Sequence, residues 1–128
     1  MSVPKMLPAL MRAQKVGKKA SFFDFPDTAS VMKKVDEELS ELKAAVDGGN
    51  SDEISEELGD LLLSVTSLAR KLVVDAEEAL EKSTDKFISR FAEVESEVIA
   101  RGKTIEEATL EELDEIWDEK KRTNRTGK

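Results

Sequence analysis

The sequence reads EELSEL over residues 37–42 and, nineteen residues later, EELGDL over residues 56–61. On a helix, acids three residues apart lie on one face, with their Cβ atoms about 5–6 Å apart. A short turn with two glycines and an asparagine, at 48–50, separates the two hexapeptides. Because two helices joined by so short a turn run antiparallel, the pattern predicts a helical hairpin on which the two acidic faces lie opposite each other.

Four carboxylates would meet across this hairpin: Glu38, Glu41, Glu57 and Asp60. Like charges at such short range raise one another's pKa and disfavour the ionised forms, so the group needs a compensating charge. A divalent cation supplies it, and four carboxylates without histidine or cysteine form a site of hard oxygen ligands. A solvated acidic face is the alternative interpretation, because acid pairs of this kind are common on helix surfaces.

The composition favours a helical protein of one domain. The chain has 128 residues, of which 38% are charged and only 5% aromatic, whereas a sheet protein would need more β-branched and aromatic runs. The absence of cysteine excludes disulfides, iron–sulfur clusters and thiol catalysis. The absence of histidine excludes a Ser-His-Asp triad and most zinc and non-haem iron sites.

The charge and hydropathy also limit the partners. The 20 basic and 28 acidic residues leave a net charge of −8, which argues against a general nucleic-acid-binding protein. No apolar run approaches the length of a membrane span, and no signal peptide is visible. We therefore expect a cytoplasmic protein that binds neither membranes nor nucleic acid.

Apolar periodicity and helix-end signals predict an all-α fold, with a bundle-like protomer of four or five helices in one domain over residues 1–128. Glycines at 48–49 end a helix whose apolar positions recur every three or four residues. The predicted boundaries are 4–19 for the first helix, Asp27 or Thr28 to about Asp47 for the second, a cap at Asn50 or Ser51 for the third, Asp75 to near Gly102 for the fourth and Thr109 onward for the last, with a frayed tail over about 122–128.

The third helix is apolar on nearly all sides from Leu58 to Val73. Such a helix is normally buried, and in a domain of this size we expect its partner to be a second subunit, with these helices at the centre of at least a dimer. Gly59 lies inside this helix, where glycine costs about 1 kcal/mol relative to alanine. Close approach of another helix, or room for a metal ion and its ligand, would offset that cost.

Three further features each allow two interpretations. The basic run from Lys15 to Lys19 is either favoured by the dipole of the helix that it ends or a phosphate contact, and the dipole is the simpler explanation. The phenylalanines of the loop at 22–25 either fill the core or stack on a base, and the core is favoured. On their own, Lys86 and Arg90 would be surface charges paired with nearby glutamates, and Trp117 would be a core anchor.

Taken together, the acidic hexapeptides and several later stretches of the sequence resemble the MazG-type nucleoside triphosphate pyrophosphohydrolases, an all-α family. The pair Glu37-Glu38-X-X-Glu41 and Glu57-X-X-Asp60 is similar to the signature of that family. The resemblance covers nearly the whole chain. It extends to DAEEAL at 75–80, KFISRF at 86–91, Trp117 with Lys121, and VPKMLPAL at 3–10, which resembles the segment leading into the C-terminal domain of two-domain MazG proteins.

The resemblance implies a reaction, a cofactor and a set of site residues. The implied reaction is the Mg²⁺-dependent hydrolysis of a nucleoside triphosphate to a nucleoside monophosphate and pyrophosphate, with Mn²⁺ as an alternative ion. It would serve nucleotide-pool housecleaning or (p)ppGpp-linked nucleotide regulation, in a homodimer. The implied residues are Glu38, Glu41, Glu57 and Asp60 as metal ligands, Glu37 or Glu38 as general base, and Lys34, Glu37, Glu53, Glu56, Lys86, Arg90, Trp117 and Lys121 at the nucleotide, with Lys86 and Arg90 on the triphosphate.

Other functions stay open at this point. Within the enzyme class, the alternative is a narrower pyrophosphohydrolase for dUTP, dCTP or phosphoribosyl-ATP. Outside it, the alternative is a non-catalytic helical dimerisation module whose acids are solvated. A carboxylate-bridged di-iron bundle would use Glu-X-X-His pairs, and the chain has no histidine.

Overall fold

Five α-helices account for most of the described chain, which in this computed structural model comprises residues 1–21 and 25–126, with side chains described as far as Asn124. No strand occurs among these residues, so the predicted all-α class is confirmed. Phe22 and Phe23, which we expected in the core, lie outside the described residues, and Phe25 is half-buried. The helices are α1 (Ala9–Lys19), α2 (Thr28–Gly48), α3 (Ser51–Lys71), α4 (Ala76–Ala100) and α5 (Leu110–Thr126).

The start of α1 differs from the prediction, which placed it at Pro4. The helix begins at Ala9, and Pro8 precedes it in an extended conformation with φ −52° and ψ 143°. A proline disfavours helical geometry at the residue before it and is tolerated only in the first turn of a helix. The second proline therefore excludes the first residues of the predicted segment from the helix.

The α2–α3 hairpin has the predicted end signals. Asp27 caps α2, because its carboxylate accepts a hydrogen bond of 2.8 Å from the N–H of Ser30. Gly49 ends α2 in the left-handed conformation with φ 74°, which glycine adopts without steric cost. Asn50 caps α3 by accepting from two N–H groups of the first turn at 3.0 and 3.1 Å. The two helices pack against each other, and this packing sets the opposed acidic faces.

The starts of the last two helices also agree with the prediction. The N–H of Glu78 donates to the Asp75 carboxylate at 3.1 Å, and the N–H of Glu112 donates to the Thr109 hydroxyl at 3.1 Å. α5 continues to Thr126, past the point at which the frayed tail was expected to begin. None of the described helices combines the length and the apolar character needed to cross a membrane.

The chain divides into two compact units, residues 1–79 and 80–128, and α4 begins in the first and continues in the second. In the first unit, α1 and α2 both pack on α3. Its buried residues include Val31 and Ala45 on α2, and Ser64 and Thr66 on α3. In the second unit, Val94 and Val98 of α4 and Ile116 of α5 form the core, and partly buried Ile105, Ala108, Leu113 and Trp117 surround it.

Much of the apolar surface of α3 is uncovered within one chain. Leu58, Leu62, Val65 and Leu72 are 44%, 51%, 42% and 49% exposed. A Cβ built on Gly59 meets no described atom within 4 Å. Among the described residues, no close packing accounts for this glycine. Room for a metal ion, or close approach of a helix from a second subunit, stays a prediction.

Candidate functional site

Three carboxylates converge on the hairpin. One oxygen each from Glu38 and Glu41 of α2 and Glu57 of α3 can be chosen so that all three lie within 4.8 Å of one another. Glu38 is only 5% exposed, whereas Glu57 is half-buried and Glu41 is exposed. Asp60 is exposed and lies outside this group of three. The antiparallel packing of the two helices thus brings together acids that are far apart in the sequence.

Lys34 fixes the charge state of the most buried of these acids. Its Nζ lies 2.7 Å from Oε1 of Glu38, one helical turn away on α2. The hydrogen bond from this ammonium holds the pKa of the Glu38 carboxyl below its usual range, and the carboxylate in turn raises the pKa of Lys34. Glu38 is therefore present as a carboxylate at neutral pH despite its burial.

Glu57 is in the opposite situation. Burial raises the pKa of its carboxyl, and the nearby charges of Glu41, Asp60 and Glu38 raise it further. The Oε2 atoms of Glu38 and Glu57 are both buried without a hydrogen-bond partner in the described part of the chain. Buried carboxylate oxygens are normally hydrogen-bonded, paired or bound to a metal ion. The cluster therefore has an unmet demand for positive charge, and its donors are the hard oxygens that Mg²⁺ and Mn²⁺ prefer.

A cavity of about 320 Å³ lies beside the cluster. Asp60, Ser64 and Ser67 line it from α3, where their spacing of four and three residues places them on one face of the helix. Sequence reasoning missed both serines, although this helical spacing from Asp60 was the available signal. The other lining residues are Phe25, Lys34, Glu38 and Leu63.

The remaining acids assigned to the nucleotide by resemblance are all exposed. Glu37 lies on α2 next to the buried Glu38, while Glu53 and Glu56 lie in the first two turns of α3. Their side chains are accessible to a ligand in solution, and their roles stay predictions.

In the second unit, Arg90 lies over Trp117, with Cζ 5.5 Å from the centre of the indole ring. The Phe87 ring centroid is 5.0 Å from that of Trp117. The Nε atom of Arg90 is buried and has no hydrogen-bond partner among the described residues. Glu97 of α4 forms ion pairs with Arg101 and Lys120, at 3.5 and 3.7 Å.

Trp117 packs against the core of this unit, as the core-anchor interpretation requires, and its ring also faces a cavity of about 390 Å³. Lys86 and Lys121 are exposed. The cavity is lined by Phe87, Phe91, Val94, Leu110, Leu113, Asp114 and Trp117. Both cations that were assigned to the triphosphate lie on α4, with Arg90 held by an aromatic contact and Lys86 in solvent.

The fold and the carboxylate cluster define an all-α protein with a candidate metal centre on a helical hairpin. Residues 26–94 match the MazG nucleotide pyrophosphohydrolase domain, and the chain belongs to that family. The matched segment contains the hairpin, the carboxylate cluster and Asp60, together with Lys86 and Arg90. The resemblance found in the sequence is thereby confirmed.

Two relatives match almost the whole chain. The nucleoside triphosphate pyrophosphohydrolase/pyrophosphatase MazG of Thermotoga maritima is 43% identical over 118 residues, which are 91% of this chain and 45% of that protein. The nucleoside triphosphate pyrophosphohydrolase of Escherichia coli is 42% identical over an alignment of 127 positions, which covers 94% of this chain and 47% of that protein. The chain thus spans less than half the length of either relative.

Proposed function

We propose that this protein hydrolyses nucleoside triphosphates to nucleoside monophosphates and pyrophosphate in a Mg²⁺-dependent reaction. One observation carries the proposal: three carboxylates from two helices lie within 4.8 Å of one another, in the segment that matches the pyrophosphohydrolase domain. The names of the two relatives support the same activity.

Glu38, Glu41 and Glu57, with Asp60, would hold the metal ion, and Mn²⁺ could replace Mg²⁺. When bound, the ion supplies positive charge on the phosphate oxygens and lowers the pKa of a bound water. The two unpartnered carboxylate oxygens of the cluster fit this assignment, because a cation would satisfy both and relieve the repulsion among the acids.

The general base is assigned to Glu37. Lys34 lowers the pKa of Glu38, which makes that carboxylate a weaker base, and Glu38 is already used as a ligand. Glu37 precedes Glu38 on α2 and its side chain is exposed, so its carboxylate is accessible to water, from which it would accept a proton. Lys34 has a double role, since it balances Glu38 and lines the neighbouring cavity, where a phosphate can bind.

A nucleoside triphosphate carries about four negative charges, and the chain itself has a net charge of −8. Binding the nucleotide therefore requires cationic contacts to the triphosphate besides the metal ion. Lys86 and Arg90 are assigned to the β- and γ-phosphates, and Trp117 with Lys121 to the nucleoside. Arg90 is restrained against the Trp117 ring, which lowers the entropic cost of ordering it on a phosphate. Glu53 and Glu56 are assigned to the border of the nucleotide site.

Product analysis tests the reaction. With ATP, GTP or a dNTP and Mg²⁺, we expect a nucleoside monophosphate and pyrophosphate as the only initial products by ³¹P NMR. In H₂¹⁸O, the label enters the monophosphate if water attacks the α-phosphorus and pyrophosphate if it attacks the β-phosphorus. Initial release of inorganic phosphate and a nucleoside diphosphate, or full activity in EDTA, would contradict the proposal.

Variants and a substrate panel complete this test. Glu57→Gln should lose turnover while keeping its helicity, whereas Glu95→Gln, an exposed acid of α4, should keep wild-type turnover. A panel of the eight canonical nucleotides, with phosphoribosyl-ATP added, separates a broad enzyme from one restricted to dUTP, dCTP or phosphoribosyl-ATP.

We also propose that the functional unit is a homodimer. Leu58, Leu62 and Val65 of α3, with Leu72 directly after its last residue, recur at steps of four, three and seven residues, and Leu63 is exposed beside them. This is the spacing of a coiled-coil seam, and a second copy of the same helix would cover it by two-fold symmetry.

A further inference from the structure

We propose that a cationic cavity in the first unit binds a small phosphate-bearing anion. The cavity has a volume of about 480 Å³ and lies between α1 and the turn that joins α3 to α4. It shares no residue with the cavity beside the carboxylate cluster, and the assignment goes beyond the proposed hydrolysis. Its charged lining residues are Lys15 and Lys18 of α1, Arg70 of α3 and Asp75 of the turn.

The charge of the cationic cavity points to an anion. Three cations and one carboxylate line it, although the chain as a whole carries a net charge of −8. Neither Lys15 nor Lys18 forms an ion pair with any described residue. Lys15 and Lys18 lie three residues apart on one face of α1, where like charges repel one another, and a bound anion relieves that repulsion.

Gly17 leaves room for the side chain of Arg70 in its observed position. A Cβ built on Gly17 would lie 3.0 Å from Nε and 3.3 Å from Nη2 of Arg70, closer than unbonded atoms of this kind normally approach. Glycine is unfavourable inside a helix, yet here it lets a guanidinium lie against the surface of α1. The guanidinium therefore lines the same cavity as Lys15 and Lys18, which lie on the same helix as the glycine.

Gln14 also lines the cavity and is hydrogen-bonded to the turn that bounds it. Its side-chain Nε2 donates to the carbonyl of Val74 at 2.7 Å, and its Oε1 accepts from the N–H of Ala76 at 2.8 Å. Val73, in the same turn, has a φ of 57°, which is rare for a β-branched residue. A backbone in this conformation needs support from its surroundings, and the two hydrogen bonds supply it. The cavity is thus bounded by a fixed turn.

Helix dipoles explain only part of this arrangement. Lys18 lies in the last turn of α1 and Arg70 in the last turn of α3, where cations are favoured by the dipole. The dipole explains neither Lys15, which lies a turn earlier, nor the glycine on which Arg70 packs. The dipole favours cations at the C-terminal end of any exposed helix, whether or not a cavity is present.

The lining defines the chemistry of the ligand. A guanidinium and two ammonium groups are the usual partners of phosphate oxygens, and the volume suits a small molecule. Met11 and Val74 add an apolar wall, which can contact the organic part of a phosphate ester. Inorganic pyrophosphate and a nucleoside diphosphate share the required diphosphate group.

Isothermal titration calorimetry in EDTA and low salt tests the proposal, with pyrophosphate and ADP as probes. EDTA removes metal ions and turnover is not measured, so the result is independent of whether the chain hydrolyses nucleotides. We compare Lys15→Gln/Lys18→Gln with Lys5→Gln/Lys43→Gln, which removes the same charge from two other exposed lysines. Circular dichroism establishes that both variants are folded.

We expect saturable binding to the wild type that weakens with added salt. The Lys15/Lys18 variant should bind about tenfold more weakly or worse, and the Lys5/Lys43 variant nearly as well as the wild type. Equal binding of the two probes supports recognition of the phosphates alone, and tighter binding of ADP supports an added contact to the apolar wall. No saturable binding of either probe at millimolar concentration, or an equal loss in both variants, would overturn the proposal.

Discussion

Glu57 is half-buried, and burial raises the pKa of its carboxyl, as do the charges of Glu41, Asp60 and Glu38. A carboxyl with a raised pKa binds a proton more readily in the folded state than in the unfolded state. The free energy of unfolding therefore falls as the pH rises from the usual value of 4.5 through the raised pKa. At neutral pH without metal, this carboxylate opposes folding, and a bound cation would reverse its effect.

Replacing Glu57 by glutamine tests this balance without measuring activity. In EDTA, Glu57→Gln should raise Tm by a few degrees, because it removes one of the repelling charges. The increase in Tm that Mg²⁺ causes in the wild type should be lost in this variant, and retained in Glu95→Gln. A lower Tm for Glu57→Gln in EDTA, or an unchanged response to Mg²⁺, would argue against a metal site here.

Asp27 shows the opposite sign at a helix cap. Its hydrogen bond to Ser30 lowers the pKa of its carboxyl from the usual 3.8, so its stabilising contribution is present above that pH and is lost as the pH falls through the lowered pKa. Asp27→Ala should lower Tm at pH 6, and the difference from the wild type should shrink as the pH falls below 3.8. A difference that is constant between pH 6 and pH 2.5 would show that the charge of the cap has no part in it.

At the scale of single residues, the sequence predicted which acidic side chains come together better than it predicted their burial and their ion-pair partners. The helical hairpin follows from spacing, so Glu38, Glu41 and Glu57 could be grouped in advance. The burial of Glu38 and its pairing with Lys34 depend on how deeply α2 packs on α3, which no local pattern encodes. Ser64 was missed because it reads as one polar residue in an apolar run.

At the scale of elements, most helix ends follow from short-range chemistry. The caps at Asp27 and Asn50 were each predicted to within one residue, and the glycine turn was predicted directly, because each acts within four residues of its own position. The predicted start of α1 at Pro4 was wrong, because Pro8 is tolerated only at the beginning of a helix. The link between α1 and the α3–α4 turn was also missed, since Gln14 and Ala76 are 62 residues apart.

Gln14 gives a direct test of that link. Gln14→Ala removes the donor to Val74 and the acceptor for Ala76, and we expect a loss of about 1–2 kcal/mol in the free energy of unfolding. Urea denaturation measures it, with Arg12→Ala as the control, since Arg12 is exposed on the same helix. Gln14→Glu keeps only the acceptor and should lie between wild type and Gln14→Ala. Equal stability of the alanine variant and the wild type would contradict a role for this bridge.

At the scale of the whole molecule, the family could be predicted from the sequence, because its signature is a set of blocks in a fixed order. Assembly depends on surfaces that one chain leaves open, and here the strongest clue is α3. Its stripe of Leu58, Leu62, Val65 and Leu72 is about half exposed. In the sequence, the apolar pattern of these residues predicted a buried helix. The described residues of one chain do not cover it.

The proposed dimer leads to a specific expectation for Leu62, which lies within the stripe and is 51% exposed. Burying a leucine contributes about 1.5–3 kcal/mol, and in a symmetric dimer each substitution acts twice. Leu62→Glu would also place two like charges opposite each other at the seam. Light scattering at micromolar concentration should therefore give a dimer for the wild type and a monomer for Leu62→Glu. Ile99→Glu makes the same change at an exposed apolar position of α4 and should leave the dimer intact. A wild-type monomer, or a dimer that survives Leu62→Glu, would rule out this seam.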